Sequence, residues 1–222
     1  MKHATFEEVQ KSLVASYGKS PSPVPRTPFE WVLFENVAYL VSDAKRELAF
    51  RALGKLTRFD PARIAAASAE SLLEVTRLGG MHPQARVDRL KEIAELALEL
   101  GGGTLQALLE LSEKEAAKAL ARFPSIGAPG AAKILMACGA GKELALESNG
   151  LRVLLRLGFG TESKNYAQSY RSVQQALAAE LPRTPAARLS AHLLLRTHGQ
   201  QVCKRTSPDC DLCPLAARCP SR

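Results

Sequence analysis

The sequence predicts an all-α protein, and three observations support this. Apolar residues recur at helical spacing in nearly every segment, no alternating strand pattern reaches a convincing length, and helix start and stop signals recur along the chain. With 222 residues, of which 46% are hydrophobic, the chain can form one domain with a full core or two small ones. The same composition excludes general disorder.

Helices are predicted, in chain order, over residues 29–41, 46–56, 85–100, 112–122, 130–137, 150–157, 166–180 and 185–197. The first follows the proline-rich segment SPSPVPRTP and has apolar residues close to helical spacing. The second is amphipathic, and after it Asp60 and Pro61 provide an N-cap and a proline for the start of a further helix.

The later helices have equally local signals. One face of residues 85–100 is apolar, and the three glycines at 101–103 end that helix. Ser112 and Glu115 have the spacing of a capping box. We expect the last long helix to end near His198, with Gly199 as a left-handed C-cap.

The net charge and the hydropathy of the chain limit the kinds of partner that the protein can have. The formal net charge of +8 favours a polyanionic partner such as nucleic acid, although charge also serves solubility alone. The N-terminal residues contain no apolar signal segment, and no apolar run is long enough to span a bilayer. We therefore expect a cytoplasmic protein, nucleoid-associated if bacterial, with no membrane partner.

The strongest motif is a group of four cysteines near the C-terminus, Cys203, Cys210, Cys213 and Cys219, with the spacing C-x6-C-x2-C-x5-C. Such a group can hold a [4Fe–4S] cluster, a zinc ion or two disulfides. Structural zinc usually takes two close pairs, and disulfide scaffolds belong to small secreted chains. The spacing therefore favours a [4Fe–4S] cluster, with zinc and disulfides as alternatives. The fifth cysteine, Cys138, lies in an apolar stretch and is expected to be buried.

A second motif lies in residues 123–130, which read FPSIGAPG between two predicted helices. The pattern Pro-x-hydrophobic-Gly between helices is typical of a helix-hairpin-helix element. Its turn exposes backbone N–H groups at a helix N-terminus, which bind a phosphate without reading sequence. We expect Ser125, Ile126, Gly127 and Gly130 to contact DNA in this way. The alternative is an ordinary αα-hairpin that only packs two helices.

Through these two motifs, the chain resembles the endonuclease III branch of the helix-hairpin-helix (HhH-GPD) DNA glycosylases, enzymes of base excision repair. The resemblance runs from about residue 28 to residue 219, and its most specific part is the tail HLLLRTHGQQVCKRTSPDCDLCPLAARC. It implies an iron–sulfur protein that acts on damaged double-stranded DNA as a monomer, with the damaged nucleotide flipped out of the duplex.

The resemblance also implies two helical lobes. One is a helical barrel over residues 22–133, with the helix-hairpin-helix element at 112–138. The other joins residues 1–21 to residues 134–222 and carries the cluster loop at 203–219. Within that loop, Lys204 and Arg205 are expected to contact DNA phosphates.

The position of the family's reactive lysine has changed. The family pattern Leu-Pro-Gly-Val-Gly-Arg-Lys-Thr-Ala lies over residues 123–131, and its lysine, which forms a Schiff base with the sugar, falls on Pro129. Proline has no amine, so the resemblance implies a monofunctional glycosylase that uses water. Lys133 lies four residues later on the same helix face, where it could contact phosphate, lie in solvent or take over as the amine.

The family's catalytic aspartate has changed as well. The pattern Val-Asp-Thr-His, aligned through the following Arg152 and Val153, places Glu147 at the aspartate and Asn149 at the histidine. The carboxylate is kept, one methylene longer, and could activate a water or stabilise the sugar cation. The alternative is that Glu147 only caps the next helix, where the dipole favours a carboxylate.

The base pocket also departs from the family pattern. The family's Ser-Ala-Gln-Ala-Thr-Asp segment lies over residues 38–43, and the glutamine that fills the gap left by the flipped base becomes Leu40. An apolar side chain can still fill such a gap. Glu35, Asn36 and Tyr39 are expected on the same helix, facing the pocket, with Glu35 as a second candidate acid or base.

Three functions remain open at this stage. The first is a monofunctional DNA glycosylase with Glu147 as its catalytic carboxylate. The second is a non-catalytic DNA-binding protein that recognises lesions or distorted duplex, because both chemical positions of the family have changed. The third is a related enzyme for a different nucleic-acid substrate, with its chemistry at Glu35 or Tyr39.

Overall fold

The protein is seen in a computed structural model that describes residues 4–19, 24–101 and 103–221. The helices of this part are α1 Phe6–Tyr17, α2 Pro28–Asn36, α3 Asp43–Thr57, α4 Pro61–Ala66, α5 Ala69–Leu78, α6 Pro83–Glu99, α7 Glu113–Leu120, α8 Ala128–Ala137, α9 Ser148–Arg156, α10 Tyr166–Leu177 and α11 Pro185–Gln201. Short 3₁₀ turns occupy Gln106–Glu110, Cys210–Leu212 and Ala216–Arg218. The predicted all-α class is confirmed, and across the described ranges extended pairing is limited to a bridge between Tyr39 and Gly80.

The chain forms two compact units. One, which we call the central unit, is Pro23–Cys138, and the other, the terminal unit, joins Met1–Ser22 to Gly139–Arg222. The expected lobe boundary at residues 21 and 22 lies outside the described residues. No helix of the described part is long and apolar enough to cross a bilayer.

In the central unit, α2 is buried on nearly all sides. Six of its nine residues are buried, among them Phe29, Trp31 and Leu33, and it packs against α3, α6 and α8. Burial of each such side chain contributes about 1.5–3 kcal/mol. Thr27 caps the helix by accepting a hydrogen bond from the Glu30 amide, and Pro28 occupies its first turn.

The prediction of one helix over residues 29–41 is wrong at its C-terminal end. Helix α2 stops at Asn36, Tyr39 bridges to Gly80, and Leu40 has a left-handed backbone with φ 54°. Tyr39 and Leu40 therefore lie in the turn before α3, not on the helix that carries Glu35. The backbone of Tyr39 donates to the Gly79 carbonyl at 2.9 Å, so the turn is held by a distant segment that local periodicity does not encode.

Several predicted helix starts are confirmed at the level of single atoms. The Asp60 carboxylate accepts from the amides of Ala62 and Arg63 at the start of α4. Ser112 and Glu115 form the complete capping box of α7, with each side chain bonded to the other residue's backbone N–H.

The terminal unit packs α9 and α1 against α11, and α10 against α9. Helix α1 starts at a capping box of Thr5 and Glu8. The ring of Phe6 meets that of Phe159 edge to face, with centroids 6.2 Å apart, in the core of the unit.

The expected helix end at His198 and Gly199 is wrong. Helix α11 continues to Gln201, and Gly199 is a buried residue in its last turn, with no left-handed backbone. A Cβ atom at Gly199 would lie 2.8 Å from both the Cβ atom and the carbonyl oxygen of Asn149. Glycine is therefore needed here because α9 and α11 approach closely, not because the helix turns.

Candidate active site and cysteine loop

Glu147 is the N-cap of α9. Its Oε1 accepts a hydrogen bond from the Gly150 amide at 2.7 Å, and its Oε2 accepts one from Nδ2 of Asn149 at 2.7 Å. The capping role is thus present, and the carboxylate, half-buried, is held through both oxygens. An ionised carboxylate offers about four lone-pair positions, so about two remain for a further donor such as water.

A polar chain runs from this carboxylate to the cysteine loop. Oδ1 of Asn149 accepts from Nη2 of Arg152 at 2.8 Å. The same Nη2 donates to the Gly199 carbonyl at 2.8 Å, and Nε of Arg152 donates to the Cys203 carbonyl at 3.0 Å. Asn149 and Arg152 can form this chain because they are three residues apart on α9 and so share one face.

Next to this chain lies an open cavity of about 720 Å³ with a strongly cationic lining. Arginine and lysine side chains of α9, of the segment before α10 and of the cysteine loop line it, together with several hydroxyl groups; its cations are Arg152, Arg156, Lys164, Lys204 and Arg205. Tyr166 also lines it, and burial together with the nearby Tyr170 and Glu147 raises the pKa of Tyr166. Such a lining suits a phosphate-bearing ligand.

The four cysteines of the C-terminal motif are free thiols that line one small cavity of about 130 Å³. No disulfide joins them. Nη1 of Arg156 donates to Sγ of Cys203 at 3.3 Å, and Nε2 of His198 lies 3.6 Å from Sγ of Cys213. Among the described residues, no group of three or more His, Cys, Asp or Glu side chains is arranged to hold a metal ion.

The cysteine loop is tied to the helices around it. Arg156 donates to the carbonyls of Lys204 and Arg205, at 2.8 and 3.2 Å. His198 is buried, and its Nδ1 lies 2.8 Å from the hydroxyl of Tyr17 on α1. Burial lowers the pKa of His198 to about 4. Lys204 forms an ion pair with Asp209 at 2.8 Å, whereas the side chain of Arg205 is exposed.

In the central unit, α7 and α8 enclose the turn predicted as a helix-hairpin-helix element. Ser125 has a left-handed backbone with φ 62°, and the Ile126 amide closes the turn on the Phe123 carbonyl at 3.1 Å. Gly127 is the N-cap of α8 and provides no side-chain cap, so the first-turn amides of Ala128 and Gly130 lack intrahelical partners. Those donors suit an anion, and Pro129 between them has no N–H to contribute.

Beside this turn, the two candidate charges of the central unit are paired with each other. Nζ of Lys133 lies 2.7 Å from Oε1 of Glu35, with side chains 20% and 24% exposed, and 5.8 Å from the Trp31 ring centroid. The buried Asn36 donates from Nδ2 to the Val32 and Pro124 carbonyls, at 3.0 and 2.9 Å. Asn36 therefore fastens the hairpin turn to α2.

The two remaining candidates of the base pocket lie on the surface of the central unit. Tyr39 is 49% exposed and its ring lies 6.2 Å from that of His82, while Leu40 is 70% exposed. Leu40 thus projects from the surface of the unit, which is the position that an apolar side chain would need in order to fill a gap in a DNA duplex.

Sequence reasoning did not single out Arg152, Arg156 and Tyr166. The spacing of Asn149, Arg152 and Arg156 on one face of α9 is a signal that could have found the two arginines. What that face contacts becomes visible only in the folded unit, because the partners lie on α11 and in the cysteine loop, about 50 residues away.

The chain is 25% identical over 213 residues to Endonuclease III of Sulfolobus acidocaldarius, covering 95% of this chain and 88% of that protein. It is 30% identical over 158 residues to Thymine/uracil-DNA glycosylase of Pyrobaculum aerophilum, covering 70% of this chain and 64% of that protein. No family model matches the chain.

The fold has close counterparts among solved structures. A non-covalent complex of Endonuclease III with DNA superposes with a TM-score of 0.73 at 19% identity, covering 98% of this chain and 96% of that chain. At this identity the likeness concerns the fold, which is the all-α fold of Endonuclease III.

Proposed function

Since the chain belongs to the endonuclease III-like branch of the helix-hairpin-helix superfamily of DNA glycosylases, we propose that it is a monofunctional base excision glycosylase. It would hydrolyse the N-glycosidic bond of a damaged or mismatched base flipped out of double-stranded DNA. The observation that carries this proposal is the Glu147 carboxylate, fixed at the start of α9 beside a cationic cavity and still able to accept a hydrogen bond.

The chemistry assigned to Glu147 is general-base or electrostatic catalysis. Water attacks C1′ of the sugar, the bond from C1′ to the base nitrogen breaks, and the electron pair leaves with the base. Glu147 takes the proton that the water loses, or stabilises the positive charge on the sugar before attack. Pro129 offers no amine, so the second reaction of the bifunctional relatives, strand cleavage through a Schiff base, has no nucleophile at that position.

We propose that the cysteine loop holds a [4Fe–4S] cluster, although its side chains as they stand are not arranged around a single metal ion. Cys203, Cys210, Cys213 and Cys219 would hold it, since they are free thiols around one cavity and Arg156 donates to the sulfur of the first. When bound, the cluster would cross-link a loop that has little core of its own. The backbone carbonyls of the loop would then face Arg152 and Arg156, and the basic side chains of the loop would face the DNA.

Within each unit, cationic and amide donors would hold DNA. The first-turn amides of α8 suit one phosphate. Lys204, Arg205 and Lys164 around the larger cavity suit further phosphates, and each neutralised phosphate adds about 0.9 to the slope of log affinity against log salt. A monomer is sufficient for this mode of binding.

The test is excision of a defined base by the purified, iron-loaded protein. Duplexes with uracil or thymine opposite guanine come first, because one relative is a thymine/uracil-DNA glycosylase, and oxidised, alkylated and abasic duplexes follow. We expect strand breaks only after alkali, and a large loss of excision in Glu147→Gln with binding retained. Excision by Glu147→Gln at the wild-type rate would refute the assignment of Glu147.

A second candidate is a non-catalytic protein that recognises lesions. The observation in its favour is that both oxygens of Glu147 already have partners, as in a purely structural cap. It predicts tight binding to an abasic-analogue duplex without excision from any substrate. Equal affinity for intact and distorted duplex would count against it.

The pairing of Glu35 with Lys133 makes chemistry at Glu35 a weaker candidate, because each charge is already neutralised by the other. Once a substrate is known, Glu35→Ala and Glu147→Ala can be compared directly. The proposal expects only the second to abolish excision, and the reverse result would move the chemistry to the central unit.

A further inference from the structure

We infer that Asn149 and Arg152 are positioning residues that orient the Glu147 carboxylate, and that they make its orientation depend on the backbone of the cysteine loop. This inference deepens the proposed function and rests on it for its catalytic meaning. The geometric part, an aligned carboxylate, can be tested without any substrate.

The amide of Asn149 has only one orientation that satisfies its neighbours. Its Nδ2 donates to Oε2 of Glu147 at 2.7 Å, and its Oδ1 accepts from Arg152 at 2.8 Å. A guanidinium can only donate, and an ionised carboxylate can only accept. Rotating the amide by half a turn would set donor against donor and acceptor against acceptor, so Arg152 fixes the direction in which Asn149 donates.

Arg152 is itself held by backbone groups of two other segments. It donates to the Gly199 carbonyl on α11 at 2.8 Å and to the Cys203 carbonyl in the cysteine loop at 3.0 Å. The planar guanidinium serves these acceptors and Asn149 together, which a lysine ammonium on a flexible stem does not reproduce. A displacement of the loop at Cys203 therefore moves Arg152 and, through Asn149, the carboxylate.

The consequence for Glu147 is that both oxygens are fixed from different directions. The Gly150 amide holds Oε1 and the Asn149 amide holds Oε2. The plane of the carboxylate is then set, and its free lone pairs have a defined direction. Catalytic groups lose about 100-fold in rate when they are misplaced by about 1 Å, so this alignment has a measurable effect.

The first experiment measures alignment directly. In ¹⁵N-labelled protein, the Gly150 amide reports on its hydrogen bond to Glu147. We expect its chemical shift to move in Asn149→Ala and in Arg152→Ala, less in Arg152→Lys, and not in Arg171→Ala, which removes an exposed arginine of α10. Because residue 149 directly precedes Gly150, its replacement shifts this amide in any case, and Arg152→Ala is the decisive variant. An unmoved Gly150 amide in Arg152→Ala would overturn the inference whether or not the protein is an enzyme.

The second experiment measures single-turnover excision and affinity for an uncleavable abasic-analogue duplex. We expect Asn149→Ala to lower the excision rate about 10- to 100-fold with affinity changed less than about twofold. Asn149→His, which keeps one donor and one acceptor, should recover most of the loss. Iron per protein in Asn149→Ala should match that of Arg171→Ala, and both variants should be fully folded at the assay temperature.

The outcomes separate the two proposals. Wild-type excision in Asn149→Ala, with Glu147→Gln inactive, overturns the positioning role and leaves the proposed function standing. Full activity of Glu147→Gln removes the assignment of Glu147 as the catalytic carboxylate, while a Gly150 amide that shifts in Arg152→Ala would still establish the polar chain. A loss of excision in Asn149→Ala that only follows a loss of iron or of folded protein would also overturn the positioning role.

Discussion

The close approach of α9 and α11 at Gly199 predicts the effect of adding one methyl group there. In Gly199→Ala the new Cβ would lie 2.8 Å from the Cβ and O atoms of Asn149 and 3.0 Å from its carbonyl carbon. These atoms cannot rotate away because most belong to the backbone. Overpacking of this kind costs about 1–3 kcal/mol, and alanine regains at most about 1 kcal/mol through its higher helix propensity. We expect a net loss of about 1–2 kcal/mol.

For a chain of this size, such a loss lowers the midpoint of thermal unfolding by roughly 2–8 °C. Differential scanning calorimetry of wild type, Gly199→Ala and Gln201→Ala would measure it. Gln201→Ala changes an exposed residue of the same helix and should shift stability by less than about 0.5 kcal/mol. Excision by Gly199→Ala should also fall, because Asn149 is displaced. A Gly199→Ala variant as stable as wild type would refute the packing argument.

Three further changes have definite expected results. Arg156→Ala removes the hydrogen-bond donor to Cys203 Sγ, so this variant should lose iron faster than wild type. The measurement is iron per protein after dilution into a chelator. Equal retention of iron would show that the contact is dispensable. Burial, helped by the Glu30 charge, raises the pKa of the Cys138 thiol to about 12. The peptide that contains Cys138 should therefore resist iodoacetamide at pH 8 in the folded protein and react with it in urea. The free energy of unfolding linked to this thiol should fall as the pH rises from about 8.5 towards 12. Pro129→Lys places an amine where the family resemblance aligns the reactive lysine. The variant should therefore cleave DNA strands without alkali and be trapped on DNA by borohydride. A variant that still needs alkali would mean that a lysine at this position alone does not confer lyase chemistry.

The parts of the fold that could be predicted from the sequence depend on local chemistry. Asp60 and the pair Ser112 and Glu115 have side chains that satisfy nearby amides, and these contacts need no knowledge of the tertiary fold. The end of α2 could not be predicted in this way. Its residues are apolar on nearly all sides, so no stripe marks the end of the helix, and the Tyr39 backbone is instead held by Gly79.

The same division applies to the candidate site. The cysteine spacing, the hairpin turn and the position of Glu147 follow from short motifs, so the sequence could indicate them. Glycine at 199 looks like a local C-cap signal, and only the approach of Asn149 explains it. Arg152 and Arg156 were missed because a helical arginine is ordinarily solvated, and their acceptors are backbone carbonyls of distant segments.

Glu147 and Asn149, which the family resemblance aligns with an aspartate and a histidine, are in direct contact in this chain. The longer carboxylate meets the shorter donor at 2.7 Å, so each change can offset the other in length. If so, their effects should not add, because contacting residues typically couple by 0.5–3 kcal/mol. In single-turnover excision, we expect Glu147→Asp and Asn149→His each to be slower than wild type, and the double variant to be faster than the product of the two losses. Independent losses would mean that the carboxylate is aligned by the Gly150 amide alone and that the residue at 149 matters little to it.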